Sequence, residues 1–209
     1  IYRVLKKGPA TLEKEDDMSA GVPYPVPTAI RHDLPDWKTT AAFALDDVQL
    51  MSLDKAGNPE KKFKEKDGVI LVQTSFFSIF DFPFLAGDPA KALEDRTSIV
   101  MTKSTAEKYF GNWRQAMGRT VKFDNRDLFT VRGIMVDAPS NSDFQKVRVL
   151  MPYAIANTEK STDWWSVNGG HECYVLLPEH ATVATADRQL ALLSKKCQTA
   201  DNKNTQVLE

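Results

Sequence analysis

The chain has 209 residues, 42% of them hydrophobic, and its 27 lysines and arginines nearly balance 28 aspartates and glutamates, for a net charge of -1. That is enough apolar material for one large domain or two small ones, and so small a net charge supplies no overall field to draw a nucleic acid or an anionic membrane. The longest apolar runs, at 69–72 and 175–177, fall far short of the roughly 20 residues a membrane-spanning helix needs.

Residues 1–5, Ile-Tyr-Arg-Val-Leu, read as a strand, and 6–22 is a charged stretch punctuated by Gly and Pro, as in an exposed loop. Pro23, Pro25 and Pro27 are expected to keep the backbone extended. A short helix over 28–34 follows, with Ile30 and Leu34 on one face and Pro35 ending it. Strands over 37–45 and 48–53 flank Asp46-Asp47. The run Asp54-Lys-Ala-Gly-Asn-Pro59 is a turn, and the lysine-rich 61–67 suits an edge strand shielded by its charges.

From Asp67 to Gly111 the signals are densest. Gly68-Val-Ile-Leu-Val72 is a buried strand behind a turn, and 74–80 places Phe76, Phe77 and Phe80 at helical spacing. Leu85-Ala-Gly-Asp-Pro89 stops that helix. Residues 97–101 form another buried strand. Thr102 or Ser104 with Glu107 can then cap a helix carrying Ala106, Tyr109 and Phe110, which Gly111 closes. The five rings of Phe76, Phe77, Phe80, Phe82 and Phe84 are expected to pack as an apolar joint, since exposing all of them would create an unusually large patch.

Beyond this unit, 120–124 and 128–137 flank Asn125-Arg-Asp127 as a hairpin, and 137–143 is a turn-rich boundary. Residues 148–153 make a strand ending at Pro152, and 172–177 another; between them, 154–168 is polar and aromatic, loop with some helix. Ala186, Leu190, Leu193 and Cys197 recur at three and four residues and predict an amphipathic last helix, followed by a polar tail that need not be ordered.

Residues that carry chemistry are scattered. His171 and Cys173 share a strand face, but no second pair at ligand spacing joins them, so a polar His beside a small apolar Cys is the expectation, and His32 and His180 stand apart. No phosphate-binding glycine motif and no nucleophile elbow occurs. Asp16-Asp17 and Asp46-Asp47 are read as solvated turn residues, and Cys173 and Cys197 as two free thiols. No catalytic, cofactor or metal residue is assigned. The candidate contact residues are Trp164 and Trp165, in a polar stretch where at least one ring is expected to be exposed: the loop is either anchored on the core by one tryptophan or forms a contact surface.

Several stretches together resemble one family. These are Ser75-Phe-Phe-Ser-Ile-Phe-Asp-Phe-Pro-Phe-Leu-Ala-Gly-Asp-Pro89, Ser98-Ile-Val-Met-Thr-Lys-Ser-Thr-Ala-Glu-Lys-Tyr-Phe-Gly111, Met117-Gly-Arg-Thr120, Phe129-Thr-Val-Arg-Gly-Ile134 and Val149-Leu-Met-Pro-Tyr153. They are similar to the MacB-like periplasmic core domain of ABC-transporter permeases of the MacB/FtsX type, with wording closest to Bacteroidetes-type members.

The resemblance implies an α/β (α+β) fold of two subdomains, a porter-like layer over 1–68 and 138–209 with a second subdomain, 69–137, inserted into it. It implies a non-catalytic extracytoplasmic domain of an inner-membrane transporter, trimmed of flanking transmembrane helices, with no cofactor and no nucleic acid. Its expected partners are a cytoplasmic ATP-binding subunit or domain, a periplasmic adaptor protein or substrate, and a second copy in a full-length dimer. An extracytoplasmic hydrolase with a dispersed site, or a stand-alone ligand-binding module, is the alternative.

Overall fold

The computed structural model describes residues 1–7, 18–158, 161–197 and 205–208. In chain order its elements are β1 (Tyr2–Lys7), β2 (Met18–Ser19), α1 (Val26–Asp33), β3 (Lys38–Leu45), β4 (Val48–Leu53), β5 (Pro59–Glu65), β6 (Val69–Val72), α2 (Phe76–Ile79), β7 (Phe84–Ala86), β8 (Ser98–Thr102), α3 (Lys103–Phe110), β9 (Thr120–Phe123), β10 (Asp127–Met135), β11 (Val149–Pro152), β12 (His171–Leu176), α4 (Val183–Cys197) and β13 (Thr205–Leu208). The fold is mixed α/β, as expected. The chain divides into two compact units, 1–43 with 156–209, and 44–155.

In the first unit β12 pairs antiparallel with β3 on one side and β1 on the other, and β1 pairs with β13 and, at its end, with β2. Residues 8–17, most of the expected loop, lie outside the described residues. Its flanks are strand rather than loop: Lys6 and Lys7 pair with Ser19 and Met18. The polar tail likewise returns as β13. Pro25 and Pro27 do not hold the chain extended, because α1 begins at Val26 with Pro25 already at αR angles. The fixed φ of proline suits a first helical turn, where the missing N–H has no partner to lose. Val26 and Ile30 of α1 and Ala186, Leu190 and Leu193 of α4 bury one core with Val4, Val22, Trp37, Cys173 and Val175.

In the second unit the sheet runs β6-β11-β8-β10-β9-β4-β5, with β7 beside the far end of β10. The β6/β11 and β8/β10 pairs are parallel and the others antiparallel. The bounds of this unit are wider than 69–137 because β4 is hydrogen-bonded to β9 and β11 to both β6 and β8, so pairing draws 48–65 and 149–152 into it. All of β8 and β11 is buried, as befits central strands covered on both faces.

Local chemistry sets the element ends. Thr102 is the N-cap of α3, its hydroxyl accepting from the Thr105 N–H at 3.3 Å, and Gly111 closes the helix at φ +79°. Thr105, not Glu107, answers the cap. Asp124 and Asn125 take positive φ in the three-residue β9–β10 turn, 124–126, where the Arg126 N–H donates to the Phe123 carbonyl at 2.9 Å. Gly68 sits at φ +83°, and a Cβ there would lie 2.2 Å from the Lys146 carbonyl oxygen. Its own carbonyl accepts from the N–H groups of Arg148 and Val149 at 2.8 and 3.0 Å.

The phenylalanines pack within the second unit. Phe76 is fully buried, and its ring centroid lies 5.6 Å from Phe77, 4.8 Å from Phe80 and 5.6 Å from Phe82. Phe77 meets Phe84 edge-on at 5.0 Å. Phe144 closes the group against Phe76, Phe80 and Phe82 at 5.5, 4.8 and 5.7 Å. The stretch 85–89 does more than stop α2, since Phe84 and Ala86 pair with Met135 and Ile134 of β10.

Removing the central ring leaves a cavity the other rings cannot fill. Phe76→Ala is expected to destabilise by about 3–5 kcal/mol, and half-buried Phe77→Ala by less, as read from urea unfolding midpoints. Equal, small shifts for both would show that the rings do not form a core.

Candidate functional site

Trp164 and Trp165 lie in the loop that leads into β12. Asp163 organises it: one carboxylate oxygen accepts from the Trp165 and Ser166 N–H groups at 2.8 and 3.1 Å. An aspartate that satisfies two successive backbone donors fixes a turn without help from the core. Trp164 is half-buried against the Val22–Cys173–Leu190 core, while Trp165 is 51% exposed. One ring thus faces the core and the other solvent.

Behind this loop stands His171, the first residue of β12 and fully buried. Its Nδ1 lies 2.8 Å from the Val22 carbonyl oxygen, so Nδ1–H must be the donor and the tautomer is set. The backbone adds a second tie, the Val22 N–H donating to the His171 carbonyl at 2.9 Å. Pro23 forms a bridge to Val167, and Gly21 comes so close to the loop that a Cβ would stand 2.6 Å from the Asn168 carbonyl oxygen. Tyr24 and Phe43 box the imidazole at centroid distances of 4.8 and 6.0 Å. Burial holds the His171 pKa below its ordinary value, against the pull of the Val22 hydrogen bond.

Cys173 shares this strand face and is wholly buried, which pushes its thiol up to about 12. A thiol held neutral is a poor nucleophile and a poor metal ligand. Cys173 and Cys197 are both free thiols. Among the described residues, no three His, Cys, Asp or Glu side chains converge as a metal site would require. Of the acid pairs, Asp16-Asp17 lies outside the described residues, and Asp47 sits at a positive φ, paired with Lys64 at 2.9 Å. Exposed His32 contacts Asp33, which also pairs with Lys196 at 2.7 Å.

The second unit holds polar groups that no local spacing announced. Glu65 is buried and accepts from the Lys108 ammonium and the Tyr109 hydroxyl, each at 2.6 Å. Burial, with the Glu65 carboxylate beside it, keeps the Tyr109 hydroxyl protonated. Asp67 is held below the ordinary carboxylate range by its hydrogen bond to Arg148, with Lys146 adding charge at 3.6 Å. A cleft of about 540 Å³ opens beside Phe77, lined by Thr74, Ser75, Ser78, Asp88 and Glu94 among others. Its polar groups serve the local backbone: the Ser78 hydroxyl donates to the Ser75 carbonyl and Asp88 accepts from the Ala90 N–H. The cleft brings no histidine, cysteine or lysine to its two carboxylates.

The arrangement is that of a mixed α/β fold with Trp165 exposed on the loop before β12. Solved structures share the fold. A domain of a putative permease protein from Porphyromonas gingivalis superposes with a TM-score of 0.80 at 20% identity, covering 100% of this chain and 88% of that one. The periplasmic region of MacB from Actinobacillus actinomycetemcomitans gives 0.63 at 15% identity, covering 99% and 87%. Among curated proteins none matches the sequence. The family model of the MacB-like periplasmic core domain matches residues 4–193, and the chain belongs to that family. It is accordingly the periplasmic domain of a MacB-like ABC permease. No helix among the described residues is long and apolar enough to cross a membrane.

Because the folded state takes up the His171 proton at lower pH than the unfolded chain, the unfolded state binds it first as pH falls. Stability is therefore unaffected by this group above about pH 6.5 and declines below it, towards the lowered folded value. Urea midpoints at pH 7.5 and 5.5 are expected to differ, and His171→Gln to lose most of that difference. Asp33 and Asp67, with lowered values, act only in a more acid window.

Proposed function

We propose that this domain carries motion rather than chemistry. A cytoplasmic ATP-binding subunit or domain turns over ATP and moves transmembrane helices of an inner-membrane permease. Those helices move this domain against a substrate or adaptor protein, in export, efflux or lipoprotein handling. The family match across residues 4–193 carries the reading. In it, the unit 1–43 with 156–209 is the porter-like subdomain and 44–155 the inserted one, and two copies work together in the full-length transporter.

The contact residue in this reading is Trp165, with Trp164 as its anchor. An exposed tryptophan on a turn fixed by its own backbone offers a large apolar area at low ordering cost, which is what interface hot spots have in common. Truncating it removes contact area without opening a cavity.

The test uses the full-length transporter and the isolated chain together. Trp165→Ala is expected to leave the melting temperature of the isolated chain unchanged and the basal ATPase of the transporter intact, while capture of its periplasmic partner falls at least tenfold. Trp164→Ala is expected to lower the melting temperature instead. Unimpaired capture by Trp165→Ala would remove the contact assignment. ATP hydrolysis by the purified 209-residue chain would overturn the non-catalytic reading.

A further inference from the structure

The loop that leads into β12 ends in the turn Asn168-Gly169-Gly170-His171. The Asn168 main-chain carbonyl accepts from the His171 N–H at 2.9 Å, and the Asn168 side-chain Oδ1 accepts from the Gly170 N–H, also at 2.9 Å. Between these two donors the Gly169 N–H has no acceptor among the described residues. Asn168 and Gly169 are both exposed, and a Cβ built on Gly169 would meet nothing within 4 Å. A side-chain amide carbon polarised by a backbone donor thus adjoins a free and unshielded backbone nitrogen.

The other asparagines of the described residues each lack part of this arrangement. Asn58 precedes Pro59, which has no N–H. The nitrogen after Asn125 is tied to the Phe123 carbonyl at 2.9 Å, and the nitrogen after Asn141 to the Pro139 carbonyl at 3.1 Å. Asn112 and Asn157 precede the bulky Trp113 and the β-branched Thr158, both stiffer than glycine.

We propose that Asn168 is a site of spontaneous deamidation by water, and that the product loosens the loop carrying Trp164 and Trp165. The Gly169 nitrogen gives its proton to a solvent base and attacks the Asn168 Cγ, while the Gly170 N–H meets the negative charge that develops on Oδ1. The Cγ–Nδ2 bond breaks, the nitrogen takes a proton from solvent and leaves as ammonia, and a cyclic imide remains. Water then opens the ring, at Cγ to give aspartate or at the main-chain carbonyl to give isoaspartate. In the isoaspartate form the chain runs through Cβ and Cγ, one methylene longer, and the former main-chain carbonyl is a free carboxylate. That carbonyl is where the loop meets Gly21 so closely that a Cβ there would stand 2.6 Å from the oxygen. The longer link does not fit this contact, so the loop parts from 20–24. The inference needs neither the transport reading nor a contact at Trp165.

The test is to hold the 209-residue chain in mildly alkaline buffer and follow it by peptide mass spectrometry. The peptide containing Asn168 is expected to gain one mass unit, in two isomeric forms that chromatography separates, ahead of every other asparagine. Gly169→Ala needs no positive φ and meets open space, so it is expected to keep the melting temperature and to react about tenfold more slowly. The isoaspartate chain is expected to melt below the parent, whereas Asn168→Asp, with the charge but not the extra methylene, melts like the parent. An Asn168 that stays intact or reacts no faster than the other asparagines, or a Gly169→Ala chain that reacts at the parent's rate, would overturn the site. An isoaspartate chain that melts like the parent would overturn the effect on the loop.

Discussion

The second unit depends on the parallel register between β6 and β11, two short strands roughly eighty residues apart in sequence that lack any local turn to align them. One corner sets it. Gly68 adopts a backbone angle that a side chain would resist, and its carbonyl takes two successive N–H groups at the entry of β11. Arg148 then reaches back to Asp67, donating to its carbonyl oxygen at 2.9 Å and pairing with its carboxylate. A slip of one residue would turn every side chain of β11 to the opposite face. With β11 in place β8 has its antiparallel neighbour and β10 its parallel one, and the phenylalanine cluster gains Phe144 from the segment just before β11.

What the sequence made legible were features written in consecutive residues. The strand at 69–72, the Thr102 cap, the Gly111 stop, the Asn125 hairpin and the Ala186–Leu190–Leu193 stripe each rest on neighbours within one or two turns, and each is found. What escaped depends on distant pairing. Glu65 reads as part of a lysine-rich edge, yet its alternate position on β5 turns it inward to Tyr109 and Lys108, more than forty residues away. Phe144 stands alone in a polar stretch, where nothing local marks it as core. Turn clusters at 54–59 and 137–143 suggested an inserted part of 69–137, but turns mark where a chain bends, not which strands it then joins.

The Trp-Trp pair stood out because it lies in a polar stretch, where at least one ring is expected to be exposed. Which of the two goes inward was not written locally. It follows from the stitching of 20–24 onto 167–171 through His171 and Gly21, which presents the Val22 core to Trp164. The same stitching leaves the His171 ring with its proton on Nδ1, donated to the Val22 carbonyl.

The Asp163 turn has a kinetic consequence. Since the Trp165 and Ser166 N–H groups are tied to Asp163, a partner arriving at the proposed contact would meet a loop already in shape. Association then needs no loop search, and mutations of the ring itself act on residence time, whereas loosening the turn through Asp163 slows capture by thinning the population of loops ready to be met.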